Sequence, residues 1–139
     1  MVSRVLVPMD DSEMAERALR HALETYQDAE VTVLHVVGEP SGMMGEATRL
    51  ALADDIKAAA NELASDVFAR AESVAEEYGT EVETSVEVGH PGRAIVNRAG
   101  DFDMVVIGTH GGSLSDTLLV GDVARRVFRR SPAPVTVIR

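Results

Sequence analysis

Gly108, Gly111, Gly112 and Gly121 punctuate the stretch from Val105 to Asp122, VVIGTHGGSLSDTLLVGD. Glycine lets a backbone take φ > 0 and leaves no Cβ between a main-chain N–H and a ligand, so a loop of this kind suits an anion. Ahead of it, Met104 to Ile107 is a short apolar run of the sort that forms a buried parallel strand. Beyond it, Val123, Ala124, Val127 and Phe128 fall on one helical face, which puts Gly121 and Asp122 at a helix start with unpaired N–H donors. Strand, glycine loop and helix N-terminus together outline a phosphate site. The loop is not a Walker A sequence, because no Gly-Lys-Ser/Thr follows, and it lacks the close glycine triplet of the dinucleotide fingerprint. Tight turns in an ordinary βα connection also use such glycines.

Other residues with chemical potential are few. Asp10, Asp11 and Ser12 follow an apolar run and supply cap-type side chains for a helix. His35 is flanked by apolar strand residues, which predicts a hydrogen-bonded core group, and His21 sits at the margin of a helix's apolar stripe. His90 and His110 stand in loops where a ligand would pass, but a general base needs a partner and a substrate that the sequence does not supply. No metal-ligand spacing joins the four histidines, so no catalytic residue and no metal site is predicted.

The elements that must carry these residues read plainly. Ser3 to Met9 is a first strand ending near Pro8, and Ala15, Ala18, Leu19, Ala22, Leu23 and Tyr26 form the stripe of an amphipathic helix. Val31 to Val37 is a second strand, and Gly38 to Thr48 is a loop whose Met43 and Met44 suit a lid or plain gap filling. From Leu50 to Tyr78, Ile56, Ala60, Leu63, Val67, Ala71 and Val74 step by four and three, and Gly79 stops the helix. Val82, Thr84, Val86 and Val88 then alternate with polar residues, as in a strand near a sheet edge. A short helix around Arg93 to Ala99, the Met104 strand, the helix Val123 to Arg130 and a last strand Pro134 to Ile138 complete the chain. Arg125, Arg126, Arg129 and Arg130 suit the negative end of that final helix. The order βαβαβαβαβ predicts an α/β fold, a five-stranded parallel doubly wound sheet of order 3-2-1-4-5 with helices on both faces. Asp10 and the glycine loop then meet where the strand order reverses.

Composition sets outer bounds. With 139 residues the chain is long enough for one domain with a core, here residues 1–139, and the absence of cysteine removes disulfides and thiol chemistry. No apolar stretch is long enough to span a bilayer, and a net charge of −10 repels nucleic acid and anionic membranes. A cytoplasmic, soluble protein is expected.

The layout and motifs resemble the universal stress protein family over essentially the whole chain. The opening Pro8, Met9, Asp10, Asp11, Ser12 and the second strand Leu34 to Val37 look like that family's. The strongest match is late, because the family's Gly-x2-Gly-x9-Gly-Ser/Thr motif falls on Gly108, Gly111 and Gly121, ahead of a helix and a terminal Pro-Val-x-Val strand. The resemblance implies an adenine nucleotide site holding ATP, AMP or ADP. Pro8 and Asp10 would border the adenosine, with Asp10 near the ribose, and the main chain at Val36 would hold the adenine. Ile107, Gly108, Gly111, Gly112, Ser113, Gly121, Asp122 and Val123 would line the ribose and phosphate path.

Two positions depart from the pattern. Asp122 stands where the family has Ser or Thr, Asp116 adds a second negative charge, and Gly112 replaces a frequently basic residue. A carboxylate about 4 Å from a phosphate costs roughly 1 kcal/mol in water and roughly 4 kcal/mol at an effective dielectric near 20. A nucleotide with fewer phosphates, or ATP reaching Asp122 through Mg²⁺, avoids that penalty. The resemblance therefore implies a non-enzymatic stress-response module that binds an adenine nucleotide without rapid turnover. The alternative is a dimeric protein-interaction module that has given nucleotide up. In either case the exposed strand Val135 to Ile138 is the expected homodimer edge. Asp10 and Asp11 also resemble the acidic pair of a phospho-acceptor receiver domain. That reading fails because no acceptor Asp follows Val88 and no Lys ends the last strand.

Twelve arginines and the single Lys57 face twenty-three acids, a surface that suits a salt-rich cytoplasm where self-repulsion is screened. A chain adapted in this way is expected to lose circular-dichroism signal as KCl is lowered. Full stability in dilute buffer would remove the idea.

Overall fold

The computed structural model describes residues 1–38, 53–109 and 122–139, with side chains for all of these but 53–57. Apolar runs with no polar face need cover on both sides, and the strands receive it. β1 (Arg4–Pro8), β2 (Glu30–Val37), β3 (Glu83–Val88), β4 (Met104–Gly108) and β5 (Val135–Ile138) form a parallel sheet of order β3-β2-β1-β4-β5, as the sequence predicts. Between them run α1 (Glu13–Thr25), α2 (Ala53–Glu77), α3 (Pro91–Ala99) and α4 (Asp122–Arg130).

Successive residues of the central strands go to opposite cores, which is why β1 is apolar without a break. Val5, Val7, Val31, Val33 and Val106 pack with α1 and α2, whereas Leu6, Leu34, Val105 and Ile107 pack with α3 and α4. Leu6, Leu19 and Leu34 are fully buried, each contributing about 1.5–3 kcal/mol from removal of apolar surface from water. Two glycine turns flank β3. Gly79, at φ 69°, ends α2 with bonds from its own N–H to Glu76 and from Thr80 N–H to Ala75. Gly89, at φ 143°, turns β3 into α3. Among the described residues no helix is long and apolar enough to cross a membrane.

Two apolar side chains assigned to core stripes lie outside them. The sheet-facing line of α2 is taken by Ala60, Ala64, Val67, Ala71, Val74 and Ala75, leaving Leu63 on the flank and 63 % exposed. In α4 the buried line is Ala124 and Val127 alone. Val123 and Phe128 are about 140° apart round the helix axis, too wide for one narrow stripe, and Phe128 is 65 % exposed.

Candidate functional site

The ladder between β1 and β4 is short, and its shortness makes the cleft. β1 pairs with β2 along all of Arg4 to Pro8, but with β4 only at Val5↔Met104 and Leu6↔Val105. Beyond Leu6 the two strands part at the point where strand order reverses, the usual place for a ligand in an open α/β sheet. A cleft of about 230 Å³ opens there. Pro8 and Asp10 come from β1 and its exit, Leu34 to Val36 from β2, Ile107 to Thr109 from β4 and its exit, and Ser12, Pro91 and Val123 from the starts of the helices.

The β1–α1 connection is tied down from both sides. Met9 N–H donates to the Leu34 carbonyl at 2.8 Å, and His35 Nδ1 lies 2.8 Å from the Met9 carbonyl, which makes it the donor there. Asp10 Oδ1 accepts from Ser12 N–H at 2.9 Å, and Ser12 Oγ accepts from Ala15 N–H at 3.1 Å. Ser12 is thus a helix cap, and the Asp10 carboxylate is oriented by a local turn at the rim of the cleft. Because the Leu34 carbonyl points toward β1, Val36 two residues later points its N–H and C=O the same way, past the last residue of β1. A main-chain donor and acceptor therefore face the cleft side by side.

Gly108 serves a purpose that differs from the one expected of it. It is not one of the positive-φ glycines, which among the described residues are Gly79 and Gly89. A Cβ at residue 108 would lie 2.5 Å from the Met14 carbonyl oxygen and 2.8 Å from its carbon. The first turn of α1 rests directly on β4, so Gly108 is needed for close packing of main chain on main chain.

Of the site residues expected from the sequence, Pro8, Asp10, Val36, Ile107, Gly108 and Val123 line this one cleft. Asp122 is the exposed first residue of α4, where its charge complements the helix dipole; it is not a lining residue. Gly111, Gly112, Ser113 and Gly121, with His110, Asp116, Met43 and Met44, lie outside the described residues. Met9, Ser12, Ala15, Leu34, His35, Pro91, Ile95, Thr109 and Ala124 also line the cleft without having been singled out as ligand contacts. For His35 a signal was available, since a polar residue near the end of a buried strand must find a partner. Ile95 and Ala124 are core positions as well. His90 faces away: its Nδ1 caps α3 by accepting from Arg93 N–H at 3.3 Å. Among the described residues no three His, Asp or Glu side chains gather as metal ligands.

Strand order, crossover helices and a cleft at the reversal define a doubly wound α/β protein. A model of the universal stress protein family matches residues 1–139, and the chain belongs to that family. It is 30 % identical over 155 aligned positions to a universal stress protein of Methanocaldococcus jannaschii, covering 100 % of this chain and 96 % of that protein. The universal stress protein UspA from Lactobacillus plantarum superposes with a TM-score of 0.80 at 27 % identity, covering 99 % of this chain and 98 % of that one. The universal stress protein from Archaeoglobus fulgidus in complex with dAMP gives a TM-score of 0.65 at 26 % identity, covering 100 % and 98 %.

The contact between Gly108 and Met14 yields a direct test. Gly108→Ala is expected to destabilise the chain by about 1–3 kcal/mol, the usual cost of overpacking against atoms that cannot yield, read as a lowered midpoint of thermal or urea unfolding. An unchanged midpoint would mean that α1 does not rest on β4.

Proposed function

We propose that the cleft between β1 and β4 binds an adenine nucleotide and that the protein is a stress-response module holding it without rapid turnover. The observation that carries this reading is the pairing of main-chain N–H and C=O at Val36, facing a cleft walled by Pro8, Ile95, Ile107 and Val123. Adenine presents a donor and an acceptor on one edge and two apolar faces, which that arrangement complements. Asp10, at the rim, offers carboxylate lone pairs to ribose hydroxyls. The dAMP bound to the Archaeoglobus relative, a protein similar along its whole length, supports the same ligand class here. Slow turnover is supported by the histidines near the strand ends, since His35 is held by the Met9 carbonyl and His90 by a helix cap.

The charge of Asp122 favours AMP or ADP over free ATP. Mg²⁺ suits this setting through one or two carboxylates plus phosphate oxygens, the way that ion is usually held, with Asp122 the candidate. Asp122 is also the observation that favours the second reading, an interaction module without nucleotide. A homodimer through β5 fits both readings. All four of its residues are half-buried at a sheet edge, and Phe128 stands exposed on the helix before it.

Calorimetric titration of AMP, ADP and ATP, with and without Mg²⁺, tests the nucleotide reading. AMP is expected to bind with or without the metal, and ATP only with it. Asp122→Ser is expected to tighten metal-free ATP at least about fivefold, from roughly 1 kcal/mol of relieved repulsion. Binding confined to the Ser variant would favour the interaction module, and no binding by either protein would end the nucleotide reading. For the dimer, removing Val135–Ile138 is expected to give a monomer in analytical ultracentrifugation. Retention of the dimer would place the interface elsewhere.

A further inference from the structure

A second cleft, of about 210 Å³, lies on the other side of the Gly89–Pro91 turn and shares no lining residue with the first. Its walls are the end of β3 and the outer face of α3, and its polar groups are Glu87, His90, Arg93, Asn97 and Arg98. Donors dominate this set. His90 Nδ1 accepts from Arg93 N–H, so the neutral ring carries its proton on Nε2 and presents a donor. Arg93 and Asn97 follow at three and seven residues along the same helix face, bringing a guanidinium and an amide. Glu87, the one acid of the cleft, is offset by Arg98 at 3.2 Å, which also donates to Ser85 Oγ at 2.8 Å. Among the described residues the Arg93 guanidinium makes no ion pair.

The opposite face of α3 is covered from α4, outside the lining of this cleft. A Cβ on Gly92 would lie 2.7 Å from Arg126 Cδ and 3.4 Å from His90 Cε1. The missing side chain lets the Arg126 stem cross from α4 over the first turn of α3, beside the His90 ring. α3 itself contains no acid. In a chain of net charge −10, a cleft with this donor set is an exception that charge balance alone does not require.

We propose that this cleft is an oxyanion site, taking the phosphate or carboxylate group of a small molecule through Arg93, Asn97 and His90 Nε2. Guanidinium and amide donors converging on one oxyanion make the strong, charge-assisted kind of hydrogen bond. The site is independent of the nucleotide reading, because its residues line the other side of the turn.

The test is ¹H–¹³C NMR of the histidine rings in the full chain at fixed pH and ionic strength, exchanging chloride for inorganic phosphate or for acetate. His90, assigned through His90→Asn, is expected to shift saturably while His21 stays in place. Arg93→Gln is expected to weaken that binding about tenfold or more, and Arg125→Gln to leave it unchanged. A response to phosphate alone assigns the site to phosphoryl groups, and a response to both anions extends it to carboxylates. A drift without saturation, or equal affinity in Arg93→Gln, would overturn the proposal.

Discussion

The approach of α1 to β4 governs the mouth of the molecule. With Met14 seated where a side chain on residue 108 would begin, the first turn of α1 is drawn onto the end of β4. The β1–α1 connection must then cross the space that opens as β1 and β4 part after Leu6 and Val105. Met9, held by Leu34 and His35, and Asp10, held by Ser12, are fixed by that crossing. The cleft is therefore a consequence of packing in the frame, with its polar groups positioned before any ligand arrives. Preorganisation of this kind lowers the ordering cost of binding.

The two halves of the molecule differ in charge. Six of the thirteen basic residues, Arg93, Arg98, Arg125, Arg126, Arg129 and Arg130, lie on α3 and α4, which carry one acid, Asp122. α1 and α2 hold acids such as Glu13, Glu24, Glu62, Asp66 and Glu72. Both clefts border α3 or α4, so an anionic ligand entering either would meet the less acidic side of an acidic protein.

Much of this architecture was legible in the sequence because it follows from few constraints. Unbroken apolar runs joined by helix-length crossovers leave little but a doubly wound parallel sheet. The cap at Ser12 and the stop at Gly79 follow from side-chain chemistry that acts within a few residues. What was not legible depends on contacts far apart in the chain. Gly108 reads as a flexible loop residue until Met14 is found against it. Gly92 stands just ahead of the helix expected from Arg93, and its use is evident only once Arg126 is found crossing it. Phe128 and Leu63 fit their helical patterns yet stand exposed, since pattern gives the phase of a stripe and not its width. His35 makes the hydrogen bond expected of it, but half-buried at the cleft's edge, a place set by where β1 ends.

The most direct measurement is methyl NMR of the protein during titration with AMP. Binding in the cleft requires saturable shifts at Val36, Ile95, Ile107 and Val123, which wall it, while Leu19 and Val74 in the opposite core stay still. Unmoved cleft methyls, or shifts confined to other surfaces, would contradict it.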